Sequence, residues 1–148
     1  MTKIIFAIDD SPYSSKVVEA AARRVWPKDS ELKLLTVLEP VQLANDERST
    51  VLVSEIQERR RDGARKMLEE ARKQLSSREQ SGQRVHFEIR EGNPKQEIVN
   101  AAVEWSADKI VVGAHGHGMS AAKYLGSIPR TIAQHAPCTV EVIRAKQS

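Results

Sequence analysis

The reading of Lys109–Arg130, KIVVGAHGHGMSAAKYLGSIPR, decides the fold. It opens on Lys109 to Val112, nearly all Ile and Val, which is the pattern of a strand covered on both faces. It passes without a linker into Gly113-Ala114-His115-Gly116-His117-Gly118, and Gly126-Ser127 follows after a short insert. A helix is expected next, from about Ser127 to His135. Glycines at the carboxyl end of a strand permit positive φ and let a ligand approach the backbone. Ser127 stands where it would cap the helix, with the first-turn amides facing outward at the positive end of its dipole. Phosphate suits such a site, and Lys123, Arg130, His115 and His117 are near enough in sequence to add positive charge.

The flanking segments repeat the same alternation. Lys3 to Ile8 is a short apolar run stopped by Asp9-Asp10-Ser11-Pro12, where Asp10 or Ser11 can cap a helix and Pro12 suits its first turn. Ser14 to Trp26 then carries Val17, Val18, Ala21, Ala22 and Val25 at helical spacing, ended by Pro27. A second strand spans Leu32 to Leu38. From about Ser49 to Ser77 runs a charged helix with Val53, Ile56, Ala64, Met67, Ala71 and Leu75 as its apolar stripe. A third strand alternates from Arg84 to Arg90, and Gly92-Asn93-Pro94 opens a helix with Ile98, Ala101, Ala102 and Trp105 on its apolar side. The last strand is Thr139 to Ile143. Five strands alternating with four helices specify an α/β fold, one five-stranded parallel sheet with helices on both faces, and one domain over residues 1–148. Ligands of such sheets sit beyond the carboxyl ends of the strands, where the strand order reverses. Asp9 and the Gly113 loop both follow strand ends on that rim.

Composition bounds the function. With 148 residues, 40% hydrophobic and 29% charged, the chain has an ordinary globular make-up. Its single cysteine, Cys138, excludes an intramolecular disulfide and a multi-cysteine metal cluster. The net charge of +3 is small, and the run from Asp46 to Gln80 balances nine Lys/Arg against eight Asp/Glu. That is the pattern of a solvated helix face; Arg59-Arg60-Arg61 has acids around it and no interleaved aromatics, so no nucleic-acid partner is expected. The run Ile4 to Ile8 is too short for a signal segment, and no stretch is apolar enough to span a membrane. The expected setting is the cytoplasm.

Spacing separates the other readings of the glycine loop. The GxxxxGK[ST] phosphate loop is absent. A GxGxxA string at Gly116, Gly118 and Ala121 follows the fourth strand rather than the first, and lacks the acid expected about twenty residues on. Plain turn formation accounts for one or two glycines. His115 and His117 with Asp9 and Asp10 are a thin warrant for a metal, and Ser127, His115 and Asp9 carry the letters of a hydrolase triad without a GxSxG elbow.

The spacing Gly113-x2-Gly116-x9-Gly126-Ser127 resembles the nucleotide-binding signature of the universal stress protein family. The resemblance extends over AIDDSPYSSKVVEAA, REGNPKQEIVNAAVEWSADKIVVGAHG and HAPCTVEVIR, hence over nearly the whole chain. It implies the five-stranded adenine nucleotide α-hydrolase-like fold, homodimerisation, with Thr139 to Ile143 as the candidate edge, and membership of the ATP-binding subgroup. By that resemblance Gly113, Gly116, Gly126 and Ser127 would hold phosphates, with His115 and Ile128 in the same loop. Asp9 would meet the ribose, Ala7 would line the pocket and the Val37 backbone would meet adenine. The implied ligand is ATP, or AMP or ADP, with any Mg²⁺ arriving on the phosphates. Asp10, His117 and Pro129 depart from the family's usual residues, and Pro129 removes one amide. The expected role is a nucleotide-dependent switch or partner-binding module for a protein not named by the sequence. The alternatives are a slow or partner-activated ATP hydrolase, and a dimeric interaction protein that binds no nucleotide.

Overall fold

The computed structural model describes residues 2–41, 47–76, 84–115 and 125–144. In chain order the elements are β1 (Lys3–Ala7), α1 (Pro12–Arg23), β2 (Glu31–Leu38), α2 (Glu47–Ser76), β3 (Arg84–Glu91), α3 (Pro94–Trp105), β4 (Lys109–Gly113), α4 (Ser127–His135) and β5 (Thr139–Ile143). All four strand pairings are parallel, in the order β3-β2-β1-β4-β5. The alternation expected from the sequence is therefore the alternation found. Among the described residues, no helix is long and apolar enough to cross a membrane.

The sheet separates two cores. On one face Val17, Val18 and Ala21 of α1 and Leu68, Ala71 and Leu75 of α2 pack on Ile4, Phe6, Leu32, Leu34 and Val111. On the other, Ile98, Ala101 and Ala102 of α3 and Ile132 of α4 pack on Ile5, Leu35, Ile110 and Val112. Neighbours such as Ile4 and Ile5 point to opposite faces, so β1 and β4 are apolar throughout their centres. Leu68, wholly buried, belongs to the α2 stripe that the sequence reading placed on Ala64, Met67, Ala71 and Leu75; Val53 and Ile56 are only half-buried.

One helix end differs from expectation. α1 stops at Arg23, and its cap Arg24 is extended (φ −88°, ψ 151°). The chain then turns Trp26 back onto the core, edge-on to Phe6 at 5.5 Å between centroids, with Nε1 donating to the Ala21 carbonyl at 3.1 Å. Val25, expected on the apolar face, is 86% exposed. A residue preceding proline is biased away from helical geometry, which frees Trp26 to pack and turns Val25 outward.

The register positions the site. The last pair of β1 and β2 is Ala7 with Leu35, whereas β2 continues beside β3 to Leu38 opposite Glu91. The Leu35 carbonyl accepts from Ile8 N–H (2.8 Å), and the Leu38 carbonyl accepts from Gly92 N–H (2.9 Å) on the opposite side. Because main-chain groups alternate along a strand, Val37 turns its N–H and C=O to the Leu35 side, beyond the end of β1.

Candidate functional site

The strand order reverses between β1 and β4. Chain leaving β1 enters α1 on one face of the sheet, and chain leaving β4 enters α4 on the other. Their divergence opens a crevice at the carboxyl ends, as the topology requires. It is a cleft of about 1030 Å³. Eight of the nine residues singled out from the sequence line it. They are Ala7 and Asp9 after β1, Val37 on β2, Gly113 and His115 at the end of β4, and Gly126, Ser127 and Ile128 at the head of α4. Gly116 lies outside the described residues, as do His117, Gly118 and Lys123.

Asp9 braces the turn into α1. Its N–H donates to Ser14 Oγ (2.7 Å), and its Oδ1 accepts from Ser11 N–H (2.9 Å) and from the Ser14 hydroxyl (2.8 Å). The cap expected from a side chain of Asp10 or Ser11 is thus supplied differently. Ser11 occupies the cap position with no side-chain cap bond, and Asp9 holds the turn from two residues further back. Ser11 is left only 5% exposed, and its Oγ has no hydrogen-bond partner among the described residues. His115 Nδ1 is likewise buried without a partner there, its ring edge-on to Tyr13 at 5.5 Å. A buried polar atom left unpaired costs about 1–3 kcal/mol, and both of these belong to residues that border the cleft.

At α4 the cap lies one residue earlier than expected: Gly126 is the cap residue and Ser127 the first residue of the helix. Gly126 N–H donates to the Ala114 carbonyl (2.9 Å), and the Gly126 carbonyl accepts from Arg130 N–H (3.2 Å). Pro129 has no N–H. The amides of Ser127 and Ile128 therefore remain without intrahelical acceptors at the positive end of the dipole. A Cβ on Gly126 would lie 3.4 Å from Ala114 O and 3.8 Å from His115 Cα, ordinary contact distances that show how near α4 starts to the loop leaving β4. Arg130 is held at the same end by donation to the Leu125 carbonyl (2.9 Å).

Gly113 serves packing as well as the rim. A Cβ there would meet Val17 Cγ2 at 3.4 Å and Tyr13 Cβ at 3.9 Å, so its bare face is turned to α1. A hydrolase triad is not assembled from Asp9 and His115. Asp9 Oδ1 is engaged by Ser11 and Ser14, and His115 Nδ1 meets no carboxylate among the described residues. Nor does any group of three His, Cys, Asp or Glu among the described residues form a metal cluster.

The α2 wall escaped the sequence reading. Arg60, Gly63 and Met67 line the cleft. Arg60 Nη1 donates to Gln57 Oε1 (2.9 Å) and to the Glu39 carbonyl, tying α2 to the end of β2. Arg61 pairs with Glu91 at the end of β3, and its hydrogen bond holds that carboxyl below the usual range. Two of the three consecutive arginines thus hold the helix to the sheet. Composition gives no sign of this, because it depends on how the helix is rotated.

Comparison with known proteins adds kinship. The model of the universal stress protein family matches residues 1–144. The universal stress protein YxiE of Bacillus subtilis is 26% identical over 148 residues, covering 96% of this chain and 98% of the relative. The structure of the universal stress protein UspA from Lactobacillus plantarum superposes with a TM-score of 0.80 at 25% identity, over 97% of each chain. A family member from Arabidopsis thaliana, solved with AMP bound, has a TM-score of 0.62 at 20% identity, over 99% of this chain and 93% of that one.

Proposed function

Because the chain belongs to the universal stress protein family, we propose that it binds an adenine nucleotide in the rim cleft and acts as a nucleotide-dependent switch or partner-binding module. The observation that carries this reading is the pair of open main-chain features in one cavity: the Ser127 and Ile128 amides on one side, and the outward-turned N–H and C=O of Val37 on the other. Phosphate suits the first. The second, a donor and an acceptor side by side, matches the edge of adenine, which also offers one of each.

In this reading Gly113, Gly116, Gly126 and Ser127 cradle the phosphates, with His115 and Ile128 beside them, and Ala7 lines the floor. Asp9 meets the ribose through Oδ2, since its Oδ1 already accepts from Ser11 and Ser14. AMP in the Arabidopsis relative supports the ligand class. Binding rather than turnover is the role assigned to the site in this reading; among the described residues, His115 Nδ1 meets no carboxylate. ATP would bring Mg²⁺ on its own phosphates. The 148 residues form one domain, and a second copy pairs along β5, a short strand at the edge of the sheet.

Ligand released from the purified protein, identified by mass spectrometry and followed by calorimetric titration with AMP and ATP, tests the reading. Binding of either nucleotide is the expected result. If neither binds at millimolar concentration, the nucleotide reading fails. Light scattering showing only monomer across the micromolar range would reject pairing along β5.

A further inference from the structure

The cleft does not end at the strand rim. On the α1/α2 face it continues between Ser15 and Val18 of α1 and one side of α2, where Arg60, Gly63, Met67 and Glu70 recur at helical spacing. Val18 and Ala64 are buried in its wall, and Met67 is half-buried. Gly63 interrupts the interior of a 30-residue helix, where it costs about 1 kcal/mol relative to alanine. Close packing does not demand it, because a Cβ built there would meet nothing within 4 Å. What it leaves is room. Ser11, 5% exposed with an unpartnered Oγ, borders the same cavity at the head of α1.

Charge narrows the occupant. Among the described residues, Asp9, Asp10, Glu39 and Glu70 line the cleft, against Arg60, whose guanidinium already donates to Gln57 and to the Glu39 carbonyl. A second anionic group would be repelled there. A neutral apolar group would meet Val18, Ala64 and Met67, and a carbonyl on it would satisfy the Ser11 hydroxyl.

We propose that this lobe is a second subsite, which takes a neutral apolar group carried on a ribose hydroxyl, so that the protein prefers a ribose-acylated adenine nucleotide to the bare one. The inference rests on the nucleotide reading above. It follows the bond between Asp9, assigned to the ribose, and Ser14, which stands beside Ser15 at the entrance to the lobe.

The test titrates AMP and 3′-O-(N-methylanthraniloyl)-AMP against the parent protein, Gly63→Ala and Gly63→Leu. Both substitutions favour the helix, so each variant should melt no lower than the parent. The acylated nucleotide should bind the parent and Gly63→Ala about tenfold more tightly than AMP. In Gly63→Leu, where the new side chain occupies the lobe, AMP should bind as in the parent and the tenfold advantage should vanish. The proposal is overturned if AMP binds and the acylated form gains nothing, or if the advantage survives Gly63→Leu. If neither nucleotide binds, the nucleotide reading falls and takes this subsite with it.

Discussion

At the amino end of the sheet the chain ties itself off. Lys3 N–H donates to Asp108 Oδ2 (2.8 Å), Asp108 N–H donates to the Lys3 carbonyl (2.7 Å), and Glu31 N–H donates to the Thr2 carbonyl (2.8 Å). Trp105 covers this end, with Lys33 Nζ at 4.4 Å and Lys3 Nζ at 5.4 Å from its ring centre. At the carboxyl end the same strands stop at different heights. Val37 overhangs β1, two first-turn amides of α4 face outward, and Ser11 Oγ and His115 Nδ1 are buried without partners among the described residues. The first end gains stability from bonds within the chain. The second forgoes part of it.

The largest effect expected from this contrast is on stability. Trp105→Ala should remove about 3 kcal/mol from the free energy of unfolding in urea, because a large aromatic covering the amino end is lost. AMP affinity should be unchanged below the unfolding transition; a change would mean that the two ends are coupled and the contrast is false. Next is Gly126→Val. The cap backbone (φ −63°, ψ 166°) is open to any residue, so the fold should survive with a loss of about 1 kcal/mol. The branched side chain would stand against the Ala114–His115 backbone at the mouth of the phosphate cradle, and AMP affinity measured by calorimetry should fall at least tenfold.

A smaller and more discriminating effect is expected at Ser11. Ser11→Ala removes an unpaired buried hydroxyl, so thermal unfolding should show stability unchanged or raised by up to about 1 kcal/mol. The same change should weaken the acylated nucleotide several-fold. Lower stability would mean that the hydroxyl has a partner within the chain, and the rim would then be less unfinished than described. The smallest effect belongs to Cys138, near the amino end. Burial, and then Asp108, push its thiol above the ordinary value, so little thiolate exists at pH 7.5. Alkylation by iodoacetamide, followed by mass spectrometry, should be several-fold slower than for a free thiol, and Asp108→Asn should speed it slightly. Reaction at the rate of a free thiol would show the amino end to be open.

Much of the rim was legible in the sequence because its signals are local. A strand running straight into Gly113, and another stopping at Asp9-Asp10-Ser11-Pro12, each place their residues at a strand's carboxyl end whatever packs around them. At α1 the cap position was legible as Ser11 but the bonding side chain, Asp9, was not, and at α4 the cap is Gly126, one residue before the Ser127 expected. Ser, Asp and Gly are all acceptable at a helix start, and which one takes the position depends on where the strand releases the chain. Trp26 was placed on a helix it does not join, because the apolar spacing through Val25 continued past the true stop.

Periodicity and breaking residues by themselves determined the five strands, the four helices and the rim that carries Asp9, Gly113 and Gly126, because each of those signals acts over a few neighbouring residues. Tertiary structure alone decided the rest. It overhung Val37 beyond β1, through the register with β3, and turned the bare face of Gly113 onto Val17. Above all it rotated α2 so that Leu68 faces the core while Arg60 and Gly63 face the cleft. The rotation of a long charged helix is set by the surface it packs on, and that surface is assembled from strands far away in the chain.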